Sequence, residues 1–542
     1  MNFKARLISA SLACTMVLSM FAGCSGTKKE SKPAETKEDK LSYLNTTGFP
    51  IVNKPITLKI MISKNDIMAE AEKLLVFQEY ENKTGIKVEW QNVSSSAIGE
   101  KVKLALASQD LPDAFMKAGI SNPDQMSFGS QGMFLNLNQG LMEKYGPNIK
   151  KFIDAHPDVK KSQTFDNGAI YSLPAGIESD SVRLARKFFI NTQWLKAVGK
   201  EMPKTTDELY DVFKAFKEKD PNGNGKADEI PFTSDALKNI MDVLKGAWGL
   251  GNRGLIQTNL DMDESTGKMR FIPTSTQYRD FIDYLRKLYS EGLIDKEIFT
   301  MKSALFSAKS IEGIVGACVG PNTANIGANH VSEFQGLTTA LKGPKGDQLW
   351  SPLRPYTNGT GAFLITSANK YPEATMRWVD YFYSDEGTLF YHFGIEGKTY
   401  KKTADGKYDW SDDIYKGVSP TTTFDSVVGK LSPYVGGSNP AIIKEPYYGG
   451  REIEPVSSKA SANMMPFAPK EVWPDFTYTQ KENERLVVVQ TDINGYVSKM
   501  QGEFISSKTP LSQWDSYVEQ IKKMGLDELM QIHQAAYERY KK

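Results

Sequence analysis

Between Ile56 and Met116 the chain alternates strand, helix, strand, helix and strand, and this order restricts the fold more than any other feature. Ile56-Thr-Leu-Lys-Ile-Met-Ile62 alternates and is rich in apolar residues, as a strand does. Leu74, Leu75, Phe77 and Tyr80 then recur near the 3.6-residue helical period, and Gly85 stops that helix before the strand Ile86-Lys-Val-Glu-Trp90. A second helix is expected over 98–108, after which Asp110-Leu-Pro-Asp113 turns the chain into Ala114-Phe-Met116. Strands joined through crossover helices pair in parallel, which makes the fold class α/β. The alternation resumes at Arg183–Ile190, read as a strand, with Asn191 capping a helix that carries Trp194 and Leu195. Thr205-Thr-Asp-Glu208 has capping-box spacing, and Leu209, Val212, Phe213 and Phe216 mark the buried face of the helix it opens. Further helices are expected at 275–291, 369–386 and 511–541.

The N-terminus is not part of this fold. Lys4 and Arg6 precede an apolar run, Leu7 to Ala22, that is shorter than the ~20 residues of a spanning helix. Phe21-Ala22-Gly23-Cys24 follows at once, so residues 1–23 read as a signal peptide. The closing cysteine resembles the lipobox of bacterial lipoproteins, in which the signal is removed and the new N-terminal cysteine, here Cys24, carries lipid. Ser25 to Lys40 is rich in Ser, Lys, Glu, Pro and Thr with hardly an apolar side chain, and residues 24–50 are expected to form a flexible tether. The roughly 500 residues that remain exceed what a single core holds, so two or more lobes are expected. A net charge of +1 leaves no electrostatic footprint for nucleic acid. Of three cysteines, only Cys318 stays in the mature domain, which rules out an intrachain disulfide there; its apolar setting marks a buried thiol.

The sharpest motif follows the 206–219 helix. In Asp220-Pro-Asn-Gly-Asn-Gly-Lys-Ala-Asp-Glu-Ile-Pro231, oxygen side chains fall at positions 1, 3 and 5 (Asp220, Asn222, Asn224), with Gly225 at 6 for the sharp turn. Lys226 offers its carbonyl at 7, Asp228 sits at 9, and Glu229 at 10 stands in for the usual glutamate at 12, where this chain has Pro231. These are the first nine positions of an EF-hand calcium loop. No second helix follows, so the expected role of Ca²⁺ is a structural clip rather than a sensor.

Enzyme chemistry finds no foothold in the sequence. Gly394-Ile-Glu-Gly-Lys-Thr399 is two residues too short for a phosphate loop, and the four histidines are scattered without HxxxH spacing or cysteine partners. No GxSxG elbow is present.

Several segments together resemble the family 1 extracellular solute-binding proteins of bacterial ABC importers, in the large calcium-containing branch with alginate- and oligosaccharide-binding lipoproteins. They include Leu104-Ala-Leu-Ala-Ser-Gln-Asp-Leu-Pro-Asp113, Gly168-Ala-Ile-Tyr-Ser-Leu-Pro174, and the run from Phe188 through Trp194 and Pro203–Glu208 to the calcium loop. Pro372–Trp378, Ser384–Gly387, Tyr391–Gly397 and the closing Met524–Tyr540 continue the match along nearly the whole mature chain. The resemblance implies a two-lobed, periplasmic-binding-protein-like (type II) fold with a hinge and an inter-lobe cleft. By that pattern lobe one holds 54–182 and 357–400, and lobe two holds 183–356 and 401–542. The implied calcium ligands are Asp220, Asn222, Asn224, Lys226, Asp228 and Glu229. The strand ending at Gly316–Asn322 departs from the family pattern, lacking the aromatic that often follows it.

A sugar offers apolar ring faces and a rim of hydroxyls, so its cleft is expected to combine aromatic platforms with a few polar groups. Trp378, Trp194 and Trp514 fall in helical patterns and belong to the core. Trp248, Trp350, Trp410, Trp473, Tyr356, Tyr447 and Tyr448 fall in Gly/Pro-punctuated sequence that favours exposure, and Trp248, Trp350, Tyr356 and Trp473 are the candidate platforms. Glu178, Asp180 and Arg183 lie where the chain is expected to cross between lobes, either to orient a solute or to form a salt-bridged hinge. The resulting expectation is a lipid-anchored subunit on the extracellular face of the cell membrane, passing a carbohydrate to ABC permease subunits. The alternatives are a surface polysaccharide-acting enzyme and a receptor for a peptide or signal molecule.

Overall fold

A five-stranded sheet grows from the alternation at the start of the folded chain. In the computed structural model, β1 (Ile56–Lys64) lies parallel to both β2 (Ile86–Ser94) and β3 (Ala114–Met116). The sheet is completed by β12 (Phe363–Ile365), antiparallel to β3, and by β4 (Ser172–Leu173) beyond it. Leu58, Ile60 and Ile62 of β1 are fully buried, as a central strand covered by crossover helices must be. The helices Leu75–Thr84 and Ile98–Ser108 are those expected, and Gly85 ends the first in a left-handed conformation.

The structure describes residues 41–327, 329–419 and 422–542. Contacts divide the chain after Tyr43, and both sheets belong to the unit Leu44–Lys542. Cys24 lies outside the described residues. The tether expected to reach residue 50 gives way to packed chain earlier. Leu44 bridges to Val52, Ile51 donates to the Thr84 carbonyl at 2.9 Å, and Arg377 reaches the carbonyls of Asn45 and Gly48. Leu44, Ile51 and Val52 are all buried, but three apolar residues with no period leave no pattern in the sequence.

The second sheet runs β11 (Phe334–Gly336), β6 (Lys187–Asn191), β10 (Ala317–Gly320), β7 (Thr233–Ser234). Its central strand begins four residues later than expected. Asp180–Arg183 forms one helical turn, and Leu184 and Ala185 pair with Leu353 and Pro352 instead of joining the sheet. Asn191 caps its helix through Oδ1, and Thr205 Oγ1 accepts from Glu208 N at 3.1 Å. The Glu208 carboxylate reaches back to Lys204 N at 2.7 Å, one residue beyond a standard capping box. Phe213 on this helix and Phe188 on β6 both stack on Phe232, at 5.0 and 4.9 Å.

The helix expected at 369–386 is two, Pro372–Asp380 and Asp385–Phe393, with Ser384 Oγ capping the second. The helix expected at 511–541 breaks at Gly525, where φ is +103°. Cys318 is buried and free, as read from the sequence.

Three passes of backbone link the two sheets. In the first, β5 (Gly176–Ile177) bridges to Thr357 of the second pass and pairs in parallel with β15 (Ile442–Ile443) of the third. The stretch 401–443, expected in lobe two, makes its bonds to elements of the first sheet. Ala69 N donates to Gly429 O at 2.9 Å, Val76 N to Leu431 O at 3.2 Å, and Trp410 packs 4.8 Å from Phe393. The chain returns to the second sheet with the helix Pro455–Met464, whose Ala460 sits so close to Gly336 that a Cβ there would lie 2.3 Å from it.

Among the described residues, each lobe buries one lysine that has no ion pair with a carboxylate. Lys117, directly after β3, bonds the carbonyls of Pro433 and Val435; Lys187, the first residue of β6, bonds those of Ser181 and Leu184. Burial lowers both from 10.5 to about 7. Between those values the unfolded chain binds more protons than the folded one, so these groups make stability rise with pH above 7. Calorimetry from roughly pH 7.5 to 9.5 is expected to show Lys117→Met with a flatter rise than the parent chain, by at most about 1.4 kcal/mol per pH unit.

Candidate functional site

Glu178, Asp180, Arg183 and Tyr356 all lie on the crossing passes, and they bond to one another. Arg183 is buried; its Nη1 meets Asp180 Oδ1 at 2.9 Å and its Nε donates to Arg354 O at 3.2 Å. Its guanidinium carbon stands 3.8 Å over the Tyr356 ring, which stacks on His156 at 4.2 Å and 24°. His156 Nε2 lies 3.1 Å from Glu178 Oε1, and Lys444 stands 3.9 Å from Oε2. The hydrogen bond from His156 holds the Glu178 carboxyl below the usual carboxylate range, against the opposing effect of burial. The arrangement is a stacked, ion-paired hinge. Tyr356 contributes its ring, and its hydroxyl has no partner among the described residues. Tyr356→Ala is therefore expected to lose about 1–3 kcal/mol and several degrees of melting temperature, while Tyr356→Phe melts with the parent chain in the same scan.

The other aromatic candidates are core residues. Trp248 is 5% exposed and packs against Phe281 and Tyr284 at 5.1 and 5.0 Å. Trp350 and Trp473 are 1% and 0% exposed, with indole nitrogens donating to Arg186 O and Glu471 Oε1. Trp410 and Tyr448 are buried as well. Gly and Pro around them do mark irregular chain, but here the loops fold down over the core and the large rings anchor them.

The calcium loop has the conformation its glycines suggest, with Gly223 and Gly225 at φ +69° and +73°. Asp220 accepts from Asn224 N and Gly225 N at 3.1 and 3.0 Å. The Asn222 and Asn224 amides donate to Asp228 at 3.4 and 3.1 Å, which draws the loop together around that carboxylate. Glu229 is 2% exposed, and its Oε1 has no hydrogen-bond partner among the described residues. Burial, then the neighbouring Asp228 and Asp220, push the Glu229 carboxyl up. Among the described residues no three His, Cys, Asp or Glu side chains converge as a metal cluster; in this loop two donors are amides and one is a carbonyl. The buried Glu229 oxygen, with no hydrogen bond among the described residues, nonetheless fits a cation.

The residues with free polar capacity line a cavity of about 480 Å³ that sequence reasoning did not reach. Its first wall is Gly119–Pro123, which follows β3, together with Asn358–Gly361, which precedes β12. That is the carboxyl end of the parallel strands, where open α/β sheets bind ligands. The opposite wall carries Gln257, Asn259, Asp475, Gln490 and Asn494. Asn122 is saturated internally, accepting from Thr360 at 2.5 Å and donating to Ser162 O and Phe476 O. Asn259 Nδ2 donates to Asn494 Oδ1 at 2.8 Å, and Gln257 Nε2 to Pro474 O at 3.0 Å. Their remaining amide atoms, and the amides of Asn358 and Gln490, have no hydrogen bond among the described residues. Asp475 is exposed to the cavity yet crowded by protein, which pushes its carboxyl up. Burial lowers His533 to about 4, so it is neutral, and its Nδ1 lies 2.9 Å from the Tyr478 hydroxyl. No Lys or Arg is among the described lining residues.

Residues 65–389 match the family model of bacterial extracellular solute-binding proteins. The chain belongs to that family. It is 30% identical over 560 residues to the fructooligosaccharide ABC transporter substrate-binding protein FusA of Streptococcus pneumoniae serotype 4 (strain ATCC BAA-334 / TIGR4), covering 100% of this chain and 99% of FusA. The structure of a FusA EF-hand mutant in complex with fructo-nystose aligns at TM-score 0.73 and 28% identity, covering 90% of this chain and 99% of that one. Alginate-binding protein AlgQ2 without calcium ion aligns at TM-score 0.74 and 27% identity, covering 91% and 100%.

This solute-binding protein thus has the two lobes, hinge and inter-lobe cleft expected of its family. Its cavity draws walls from segments that lie beside different sheets. The amides that line it are ordinary residues in sequence. Only the fold brings them together.

Proposed function

We propose that this protein is the lipid-anchored binding subunit of an ABC importer and that it captures a neutral oligosaccharide in the amide-lined cavity. The supporting observation is the lining itself. Amides both donate and accept, as sugar hydroxyls do, and here several are held in place with atoms free. A volume of about 480 Å³ lies within the ~300–1,000 Å³ typical of small-molecule sites. With Asp475 and no Lys or Arg among its described lining residues, the cavity lacks a partner for an acidic sugar. FusA and AlgQ2, similar along most of their length, are named for oligosaccharide and alginate binding. Cys24 would carry the anchor, and delivery would be to permease subunits at the same membrane. Lobe one would comprise 44–177 and 357–443, redrawn from the bonds of the 401–443 stretch.

Asp220, Asn222, Asn224, the Lys226 carbonyl, Asp228 and Glu229 would hold Ca²⁺. The ion would neutralise the buried Glu229 and the more exposed Asp220 and Asp228, and clip the helix Thr206–Glu218 to the chain entering the second sheet.

Thermal-shift and titration calorimetry test the solute. A neutral oligosaccharide at about 100 times its Kd is expected to stabilise the protein by about 2.7 kcal/mol without being cleaved. Asn358→Ala and Asn494→Ala are each expected to weaken it tenfold or more, about 1.4 kcal/mol. Stabilisation by peptides alone, or hydrolysis of the sugar, would overturn the reading. For the metal, chelator is expected to lower the melting temperature by a few degrees, and Asp220→Ala to abolish both calorimetric Ca²⁺ binding and that response.

A further inference from the structure

A second cavity, of about 310 Å³, shares the Pro123 wall of the amide-lined one. On one side stand Pro123, Asp124 and Ser127 of the helix Asn122–Ser130. On the other stand Gln480, Asn483, Glu484 and Val487, from the first two turns of the helix Gln480–Ile505. Met126 of the first helix packs in the cluster of the first sheet, whereas Leu486, Val489 and Ile493 of the second pack in that of the second sheet. This cavity too therefore lies between the lobes.

The helix Gln480–Ile505 joins the two cavities. Asn483, Val487, Gln490 and Asn494 follow one another at steps of four, three and four, which places them on one face of the helix. Asn483 and Val487 line the second cavity, and Gln490 and Asn494 the first. One stripe of side chains thus runs past both.

Asn483 is 7% exposed, and its Oδ1 is buried with no hydrogen bond among the described residues. Native interiors rarely leave such an atom unmatched, so it calls for a donor that the chain does not supply. Asp124 Oδ2 accepts from Ser121 Oγ at 2.9 Å, and Glu484 Oε1 from Gln480 Nε2 at 3.2 Å. The second oxygen of each carboxylate has no hydrogen bond among the described residues. Val487, 55% exposed, and Pro123 add an apolar surface between these acceptors. No Lys, Arg or His is among the described lining residues. Free acceptors around an apolar patch suit a ligand that brings hydroxyl donors and a C–H face, and they repel an anion.

We propose that the second cavity receives a further unit of the same solute, so that a neutral oligosaccharide passes Pro123 and occupies both. Its hydroxyls donate to Asn483 Oδ1 and to the free oxygens of Asp124 and Glu484, while the ring face lies on Val487. The inference rests on the proposed capture of a neutral oligosaccharide in the first cavity.

Titration calorimetry of the full chain with linear neutral glucans and fructans of increasing length, from the disaccharide upward, tests it. Affinity is expected to rise at least tenfold at the length that first fills both cavities. Asn483→Ala and Val487→Trp leave every residue lining the first cavity in place. Each is expected to remove that gain while binding the shortest ligand as the parent chain does. Val487→Trp alters an exposed side chain and fills the space with its ring, which keeps the test valid if Asn483→Ala folds poorly. No gain with length in the parent chain, or a gain that survives in Val487→Trp and in a folded Asn483→Ala, would overturn the second subsite and leave the first standing. Equal weakening of short and long ligands in these variants would overturn it as well. Failure of every neutral oligosaccharide to bind the parent chain would overturn the proposed function and this subsite with it.

Discussion

Main-chain pairing at the three crossing passes is the constraint on which the rest depends. Gly176 and Ile177 bridge to Thr357 on one side and pair with Ile442 and Ile443 on the other, so chain from three regions is tied at one place. The cluster around Phe188, Phe213 and Phe232 packs on the second sheet, and the cluster around Phe115, Phe134 and Leu364 packs on the first. The walls of the cavity are kept opposite each other by this small set of backbone bonds, by the Arg183–Tyr356–His156 stack and by direct bonds such as Asn122 to Phe476 O. Glycine at 176 is required by the closeness of its neighbours, since a Cβ there would come 2.9 Å from the Phe152 ring.

Buried polar groups divide this protein into finished and unfinished regions. Lys117 and Lys187 are enclosed but fully engaged with backbone carbonyls, and Asn122 has every polar atom occupied. Such groups fix structure. Glu229 in the Asp220–Glu229 loop and the amides facing the cavity are held in position with bonding capacity left over among the described residues. A member of a solute-binding family requires unmatched groups of this kind, because a ligand must complete hydrogen bonds or charge that the chain alone leaves open.

Much of the fold is legible locally. The β1–β3 alternation, the Gly85 stop, the Asn191 and Thr205 caps and the buried face of Thr206–Glu218 all follow from spacing within a few residues. The longest helix, Gln480–Ile505, lies outside the helices expected from sequence, although Thr479 and Glu482 form a capping box and Leu486, Val489, Ile493 and Val497 keep its period. That signal is local and present in full. The platforms fail for a different reason. Irregular local sequence around Trp248, Trp350 and Trp473 suggests exposure, while burial depends on what folds over a loop from elsewhere.

By itself the sequence determined the α/β class, the family and the loop from Asp220 to Glu229, because periodicity, caps and a nine-residue ligand spacing act over a turn or two of chain. Only the tertiary structure decided which polar side chains converge on one cavity. Asn122 bonds Phe476 O across 354 positions, and Glu452 joins Ser181, Asn322 and Tyr448. Amide-lined walls from opposite sides of a hinge have no local signature. Their chemistry exists only once backbone pairing at the crossings has brought them together.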